Sequence, residues 1–273
     1  MRFFTNFLCF AVLLFASCQN ADTNSKTAPA SETTTPTPAT PTPAPKAADG
    51  KKYTLTPVNS GVEFPNAKIE YSHFSNGQFA FNVNNYQLGA QTTDAGDLMC
   101  ANSGKGQHIH LIFDDAPYAA KYTNIFDYAK EDGRYYMLAF LGKSYHESIK
   151  TPDAFVAHRV SVRDNSIYAR SKINDPVLFY SRPKGTYVGK DAQKVMLDFY
   201  LLNADLEGQA YKVYADINGE RHLIDKWQSY FIEGLPYGEN TITLTLVFNS
   251  GEKVPTKLNP VTRTFTLKQD PAG

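Results

Sequence analysis

Residues 51–273 carry the same series of β-strand signals twice, and this duplication limits the fold more than any other feature. Short segments of alternating apolar and polar residues are separated by Gly, Asn, Asp and Pro, a pattern typical of strands joined by turns. We therefore predict an all-β chain with two tandem immunoglobulin-like β-sandwich domains, copy 1 at residues 51–171 and copy 2 at residues 172–273. The paired blocks are residues 62–64 and 177–179, 79–88 and 197–206, 106–107 and 208–209, and 132–141 and 237–246.

The two copies differ by an insertion. Copy 1 has residues 89–105 at a position where copy 2 has only Glu207. The insertion contains Met99 and Cys100, whose sulfur atoms are ligands that soft metal ions prefer. Because the insertion interrupts an otherwise regular duplication, we expect function at this end of copy 1.

Three histidines of copy 1 have no histidine at the aligned position of copy 2. His108 and His110 are two residues apart in a predicted strand, so their side chains share one face. The residue aligned with His110 is Lys212, which predicts that this face is wet and that both histidines lie outside the core. In an immunoglobulin-like strand order, this strand pairs with the strand at residues 135–141. The loop that follows residue 141 holds His146.

This arrangement predicts a transition-metal site for copper or zinc, because both metals bind imidazole nitrogen and thiolate sulfur. Two other interpretations remain open: a pocket for a non-metal ligand at the same end, and a purely structural role. The candidate metal ligands are His108, His110, His146 and Cys100, with Met99 and His158 as additional candidates.

A second, weaker signal is the basic and aromatic segment at residues 179–185. Arg182 and Lys184 in this segment are candidates for contact with an anion such as a phosphate, and the alternative is a strand end followed by a turn. No GxSxG nucleophile elbow, glycine-rich phosphate loop or nucleotide fingerprint is present in the sequence. We therefore do not expect an enzyme, and a metal-dependent enzyme is the third and weakest hypothesis.

The N-terminus has the order of a secretory signal followed by a lipidated cysteine. Arg2 precedes an apolar run at residues 7–16 that is too short to cross a bilayer about 30 Å thick. The run ends at Cys18, and the residues before it resemble a lipobox, although Phe15 stands where Leu is usual. We expect a signal peptide at residues 1–17 and an acylated Cys18 that attaches the protein to a membrane; the alternative is an ordinary signal peptide.

Residues 18–50 follow as a segment without core-forming character. Pro, Thr and Ala dominate residues 27–48, so nothing offsets the entropy of ordering, and we expect a disordered stalk. Cleavage before Cys18 removes one of 27 basic residues and none of 27 acidic ones, which leaves a net charge of −1. Binding to nucleic acid is therefore disfavoured.

Five segments resemble a family of uncharacterised lipoproteins from Gram-negative bacteria, some of which carry the automatic label "phosphopeptide-binding protein". They are KGQHIHLI, FLGKSYHESIK, LFYSRPKGTYVGKD, VMLDFYLLN and YFIEGLPYGENTI. The resemblance implies a lipid anchor in the outer membrane, facing the periplasm or the cell surface, and it implies no particular activity. The predicted function is a cell-envelope binding module with a metal site in copy 1. The alternative is a structural or adhesive surface lipoprotein whose sandwiches bind other proteins or peptides.

Overall fold

The computed structural model describes residues 51–271; the predicted signal peptide, Cys18 and the predicted stalk lie outside this range. Strands dominate, beside one short helix, α1 (Ala95–Leu98), and one 3-10 helix (Gly189–Ala192). Within residues 51–271, no helix has the length and apolar character needed to cross a bilayer. The strands are β1 (Thr54–Pro57), β2 (Lys68–Ser75), β3 (Gln78–Asn84), β4 (His108–Phe113), β5 (Ala119–Lys121), β6 (Ile125–Asp127), β7 (Gly133–Gly142), β8 (Phe155–Arg163), β9 (Ser166–Ser171), β10 (Val177–Arg182), β11 (Gly185–Val188), β12 (Val195–Leu202), β13 (Tyr211–Ile217), β14 (Glu220–Ile224), β15 (Tyr230–Glu233), β16 (Gly238–Phe248) and β17 (Val261–Lys268).

The strands form four sheets, two in each sandwich, so the prediction of an all-β sandwich fold is confirmed. In the first sandwich the sheet β2-β3-β6 faces the sheet β5-β4-β7-β8-β9. In the second, the sheet β1-β15-β12-β10 faces the sheet β11-β17-β16-β13-β14.

The duplication is visible in the strand order. The series β2-β3-β6 corresponds to β10-β12-β15, and β5-β4-β7-β8 corresponds to β14-β13-β16-β17. One aligned pair of blocks is wrong: residues 177–179 lie in β10, whereas residues 62–64 form no strand. The counterpart of β10 is β2, because each of these two strands pairs with the strand that follows it in its own sheet.

The two sandwiches are stacked face to face, so the four sheets form four layers. The first core, between the two sheets of the first sandwich, contains Phe79 and Leu111. A middle core joins the sandwiches, where Phe140 of β7 stacks on Tyr200 of β12 with ring centroids 5.0 Å apart. The last core, within the second sandwich, contains Leu244.

Burial along each strand follows from this layering. In β13, which lies in an outer layer, Val213, Ala215 and Ile217 are buried and the residues between them are partly exposed. In β4 and β12, every residue is buried, because these strands lie in the two middle layers and both of their faces are covered. The inner strands therefore lose the alternating pattern that is typical of a strand with one wet face.

β1 comes before the first sandwich in the chain but belongs to the second. It pairs antiparallel with β15, with Thr54 opposite Glu233 and Pro57 opposite Tyr230. The preceding Tyr53 is 3% exposed and packs in the core of the second sandwich. The predicted start of copy 1 at residue 51 is therefore wrong for this strand, because the free edge of β15 accepts it.

Candidate metal centre

His108 and His110 lie on the same face of β4, as predicted, but the prediction that this face is wet is wrong. Both side chains are 0% exposed. The face belongs to a middle layer, and the second sandwich covers it. Lys212, the residue aligned with His110, lies in an outer layer and is partly exposed. Exposure therefore could not be transferred from one copy to the other.

His146 reaches the same place from the hairpin between β7 and β8. β4 and β7 pair antiparallel with His108 opposite Gly142, so the start of β4 lies beside the end of β7, as the immunoglobulin-like order predicts. The backbone N–H of His146 donates to the carbonyl of Lys143 at 2.8 Å, and φ of His146 is +73°. This left-handed conformation costs about 1–2 kcal/mol for a residue other than glycine, and such strain is often found at functional sites.

The three imidazoles converge on one point, and we call His108, His110 and His146 the histidine cluster. Nε2 of His110 is 2.8 Å from Nε2 of His108, and Nδ1 of His146 is 3.0 Å from the same atom. The nearest ring nitrogens of all three lie within 4.8 Å of one another. Two imidazole nitrogens bound to one tetrahedral zinc ion are about 3.3 Å apart, so small shifts would bring these nitrogens around a metal ion.

A backbone carbonyl fixes the tautomer of His108. Nδ1 of His108 lies 2.8 Å from the carbonyl oxygen of Gly106, which can only accept a hydrogen bond, so Nδ1 carries the hydrogen. Nε2 of the neutral ring therefore holds a lone pair that is directed at the other two histidines. Around protein-bound metals, the ring nitrogen of histidine that does not bind the metal usually donates its N–H to a carbonyl or carboxylate.

Two glycines make room for these rings. Gly106 has φ of +82°, and a side chain there would come within 2.4 Å of the backbone of the insertion, so only glycine presents this carbonyl to His108. At Gly142, a Cβ atom would lie 3.0 Å from Nε2 of His110. The corresponding hairpin position of the second sandwich is Val247, where no histidine has to fit.

Tyr118 and Ser181 complete the surroundings of the histidine cluster. The Tyr118 ring stacks on His110 with centroids 3.7 Å apart, and its hydroxyl lies 3.2 Å from Nδ1 of His146. The Ser181 hydroxyl of β10 lies 3.4 Å from Nδ1 of His110, so the second sandwich also contacts the cluster. No sequence signal marks these two residues, because serine and tyrosine are common in strands and turns.

Burial keeps the histidines neutral. Desolvation lowers the pKa of His108 to about 4 and lowers the pKa values of His110 and His146 well below 6.5. The positive charges of Arg182 and Lys184 lower these pKa values further. Neutral imidazoles keep the lone pairs that metal ions bind, so protonation does not block metal coordination here at neutral pH.

The two candidate anion contacts therefore lie beside the candidate metal ligands. Arg182 is at the end of β10, where the ladder with β12 has a bulge between Tyr180 and Arg182. Such bulges turn side chains away from their regular direction. Nζ of Lys184 lies 4.1 Å from the centroid of the Tyr118 ring.

The other predicted ligands are not part of the histidine cluster. Met99 is 74% exposed. Cys100 is buried against Met196 and Phe231 of the second sandwich, and burial raises the pKa of its thiol to about 11, so it is protonated at neutral pH. His158 lies on β8 with its ring 6.0 Å from that of Tyr71, facing the first core.

Comparisons with known proteins identify no family. No protein-family model matches the chain, and no curated protein matches it. Among solved structures, the chain is similar to fibronectin(III)-like modules of Clostridium thermocellum CbhA, with 13% identity over 80% of this chain and 94% of that chain and a TM-score of 0.28.

Two further solved structures are also similar. The two tandem V-type regions of VCBP3, a v-region-containing chitin binding protein, are 9% identical over 79% of this chain and 99% of that chain, with a TM-score of 0.21. The other is SGBP-B of a Bacteroides ovatus mixed-linkage glucan utilization locus, in complex with a mixed-linkage heptasaccharide. It is 8% identical over 80% of this chain and 70% of that chain, with a TM-score of 0.19. Because these TM-scores are low, the fold is assigned from the strands and sheets of this chain itself.

Proposed function

We propose that the protein is a lipid-anchored binding module of the cell envelope that binds a transition metal ion through His108, His110 and His146. The convergence of three neutral ring nitrogens within 4.8 Å is the observation that carries this proposal. Three protein nitrogens leave a fourth coordination position open, as in metal sites that exchange a ligand. His146 is the partly exposed member of the cluster, which gives a metal ion a route from solvent.

The charges around the cluster bear on the choice of metal. No carboxylate or thiolate belongs to the group of converging ligands in the described chain. The nearby positive charges of Arg182 and Lys184 repel a divalent ion more than a monovalent one. We therefore expect copper(I) to bind more tightly than zinc when no anion is present, since copper(I) accepts three imidazole ligands and carries a single charge.

Calorimetric titration of the purified protein with zinc, copper(II) and copper(I), the last under reducing conditions, tests the site. The variants are His108→Ala/His110→Ala and, because the first two side chains are buried, His146→Gln at the partly exposed position. The matched control is His73→Ala, which removes an exposed histidine outside the cluster. We expect loss of binding in the first two variants only.

Binding weaker than about 1 µM for every metal, or equal binding by the cluster variants, would contradict the metal site. That result would favour the alternative function, a structural or adhesive surface protein whose sandwiches bind other proteins without metal. The histidine cluster would then be a buried hydrogen-bonded network that joins the two sandwiches.

The anchor is tested separately, at Cys18. Acylation of this cysteine would place the full protein in the membrane fraction, and Cys18→Ser is expected to release it into the soluble fraction. Cys100→Ser is the control, because this thiol is buried in the folded part of the chain. Retention of the Cys18→Ser variant in the membrane fraction would contradict the lipid anchor.

A further inference from the structure

Arg182 is a buried positive charge whose guanidinium has no acceptor in the part of the chain that the structure describes. Its side chain is 7% exposed, and its Nε is buried without a hydrogen-bond partner. Within residues 51–271 no hydrogen bond or ion pair involves the guanidinium. The guanidinium lies over the Tyr187 ring, with its Cζ atom 5.3 Å from the ring centroid. Arginine offers five donors, and leaving the Nε–H buried and unmet is costly, so this site is incomplete as it stands.

Lys184 is the second cation at this site without an acceptor. It is partly exposed, and the described chain gives its ammonium no hydrogen bond and no ion pair. It lies over the ring of Tyr118, whose hydroxyl is next to His146 of the histidine cluster. Arg182 and Lys184 are separated by Pro183 alone. Burial lowers the pKa of Lys184, and the charge of Arg182 lowers it further.

The buried carboxylate opposite Arg182 is hydrogen-bonded through one oxygen only, since Oδ2 of Asp198 has no hydrogen-bond partner in the described chain. Asp198 stands opposite Arg182 in the β10–β12 ladder, but no ion pair forms between them. Its Oδ1 accepts hydrogen bonds from Ser148, Lys150 and Ser229, each at 2.8 Å. Asp198 forms its ion pair with Lys150, and within residues 51–271 no carboxylate forms an ion pair with Arg182 or Lys184.

We propose that Arg182 and Lys184 form a binding site for a small oxyanion beside the histidine cluster. A guanidinium presents parallel N–H groups that match two oxygens of one anion, and the ammonium supplies the second charge. Two positive charges favour a dianion over a monocarboxylate. The partly exposed Lys184 and His146 mark the side from which the anion enters.

One consequence also rests on the proposed metal function. An anion held here would offset the repulsion between the two cations and a divalent metal ion, so anion and metal should bind with positive coupling. Such an anion would also lie near the coordination position that three histidines leave open.

The first test uses metal-free protein, prepared on a chelating resin, with sulfate and acetate as probes at constant ionic strength. We expect sulfate to bind more tightly than acetate in calorimetry. Arg182→Gln and Lys184→Gln should each weaken sulfate binding by about tenfold or more. Lys172→Gln, which removes an exposed positive charge, should leave it unchanged. Equal sulfate binding by all four proteins would overturn the anion site.

A second readout separates anion binding from a structural role of Arg182. Without sulfate, Arg182→Gln removes an uncompensated buried charge, so its Tm should equal or exceed that of the parent protein. In saturating sulfate, the parent protein should become the more stable of the two. An equal loss of Tm in both buffers would show that Arg182 only supports the fold and would overturn the proposal.

Repeating the zinc titration with and without sulfate tests the coupling. Tighter zinc binding in sulfate supports the shared site. Sulfate binding by metal-free protein together with no zinc binding would reject the metal function and leave the anion site intact.

Discussion

The Nε2 atoms of His108 and His110 lie 2.8 Å apart on one face of β4. Because the hydrogen of His108 is held on Nδ1 by the carbonyl of Gly106, its Nε2 presents a lone pair to His110. Either a hydrogen on Nε2 of His110 or a metal ion has to lie between these two atoms. The contact is therefore a hydrogen bond in the metal-free protein, and under the proposed metal function the ion takes the place of that hydrogen.

The tautomers of these two rings are a direct prediction. In metal-free protein at pH 7.5, His108 should carry its hydrogen on Nδ1 and His110 on Nε2. With zinc bound, the hydrogen of His110 should move to Nδ1, next to the Ser181 hydroxyl at 3.4 Å. Nitrogen-15 NMR of the imidazoles distinguishes these forms. A hydrogen on Nε2 of His108 in either state would contradict the hydrogen bond to Gly106.

Gly142→Ala should damage the site while leaving the sandwich folded. The added Cβ would lie 3.0 Å from Nε2 of His110, so this ring must move away from the point of convergence. We expect metal affinity to fall about tenfold and stability to fall by about 1–2 kcal/mol, as for other overpacked positions. The control is Gly61→Ala, where a Cβ meets nothing within 4 Å. Unchanged metal binding by Gly142→Ala would show that His110 is not a ligand.

The stability of the metal-free protein should depend on pH between 6.5 and about 4. In this range the unfolded histidines bind protons and the buried ones do not, since burial lowers the pKa of His108 to about 4 and lowers those of His110 and His146 well below 6.5. Stability is therefore present above pH 6.5 and is lost as pH falls, by about 1.4 kcal/mol per pH unit for each such group.

Urea unfolding at several pH values measures this slope. The slope for His108→Gln should be shallower than that of the parent protein, and the slope for His73→Gln should match the parent. Parallel curves for all three proteins would mean that His108 is not buried in its neutral form.

Asp198→Asn should be among the most destabilising conservative changes. Asp198 is 0% exposed and holds Ser148, Lys150 and Ser229, so removing its charge leaves the Lys150 ammonium without its partner. Breaking a buried pair in this way costs about 3 kcal/mol, measurable by urea unfolding. Asp216→Asn, which removes a surface ion pair with Arg221, should have little effect. Similar effects of the two changes would argue that the Asp198 network does not stabilise the fold.

Tyr53→Ala should loosen the second sandwich, although residue 53 precedes the first. The side chain is 3% exposed, lies in the core of the second sandwich and accepts a hydrogen bond from Asn218 at 3.1 Å. Loss of such an aromatic residue costs about 3 kcal/mol. Hydrogen exchange should show the loss of protection in β12 and β15, and Tyr168→Ala, at a 58% exposed position, should show none. A loss of protection confined to β2 and β3 would contradict the assignment of β1 to the second sandwich.

Local alternation and the duplication were enough to predict the sandwiches, the shared face of His108 and His110, and the approach of His146. The sequence could not show that this face is buried, because burial depends on how one sandwich stacks on the other. The same stacking explains why Tyr118 and Ser181 were missed. The prediction that Cys100 is a metal ligand failed for a related reason. The insertion turns this side chain towards Met196 and Phe231 of the second sandwich, away from the histidine cluster.

The path of β1 has a mechanical consequence for a chain held at its N-terminal end. A pull on residue 51 is borne first by the β1–β15 ladder and by the buried Tyr53, both in the second sandwich. The backbone N–H groups of Lys52 and Tyr53, which donate to the Glu220 carboxylate, reinforce that attachment. In a chain attached through its N-terminal end, such a pull is therefore borne by the second sandwich before it reaches the strands of the first sandwich that hold the histidine cluster.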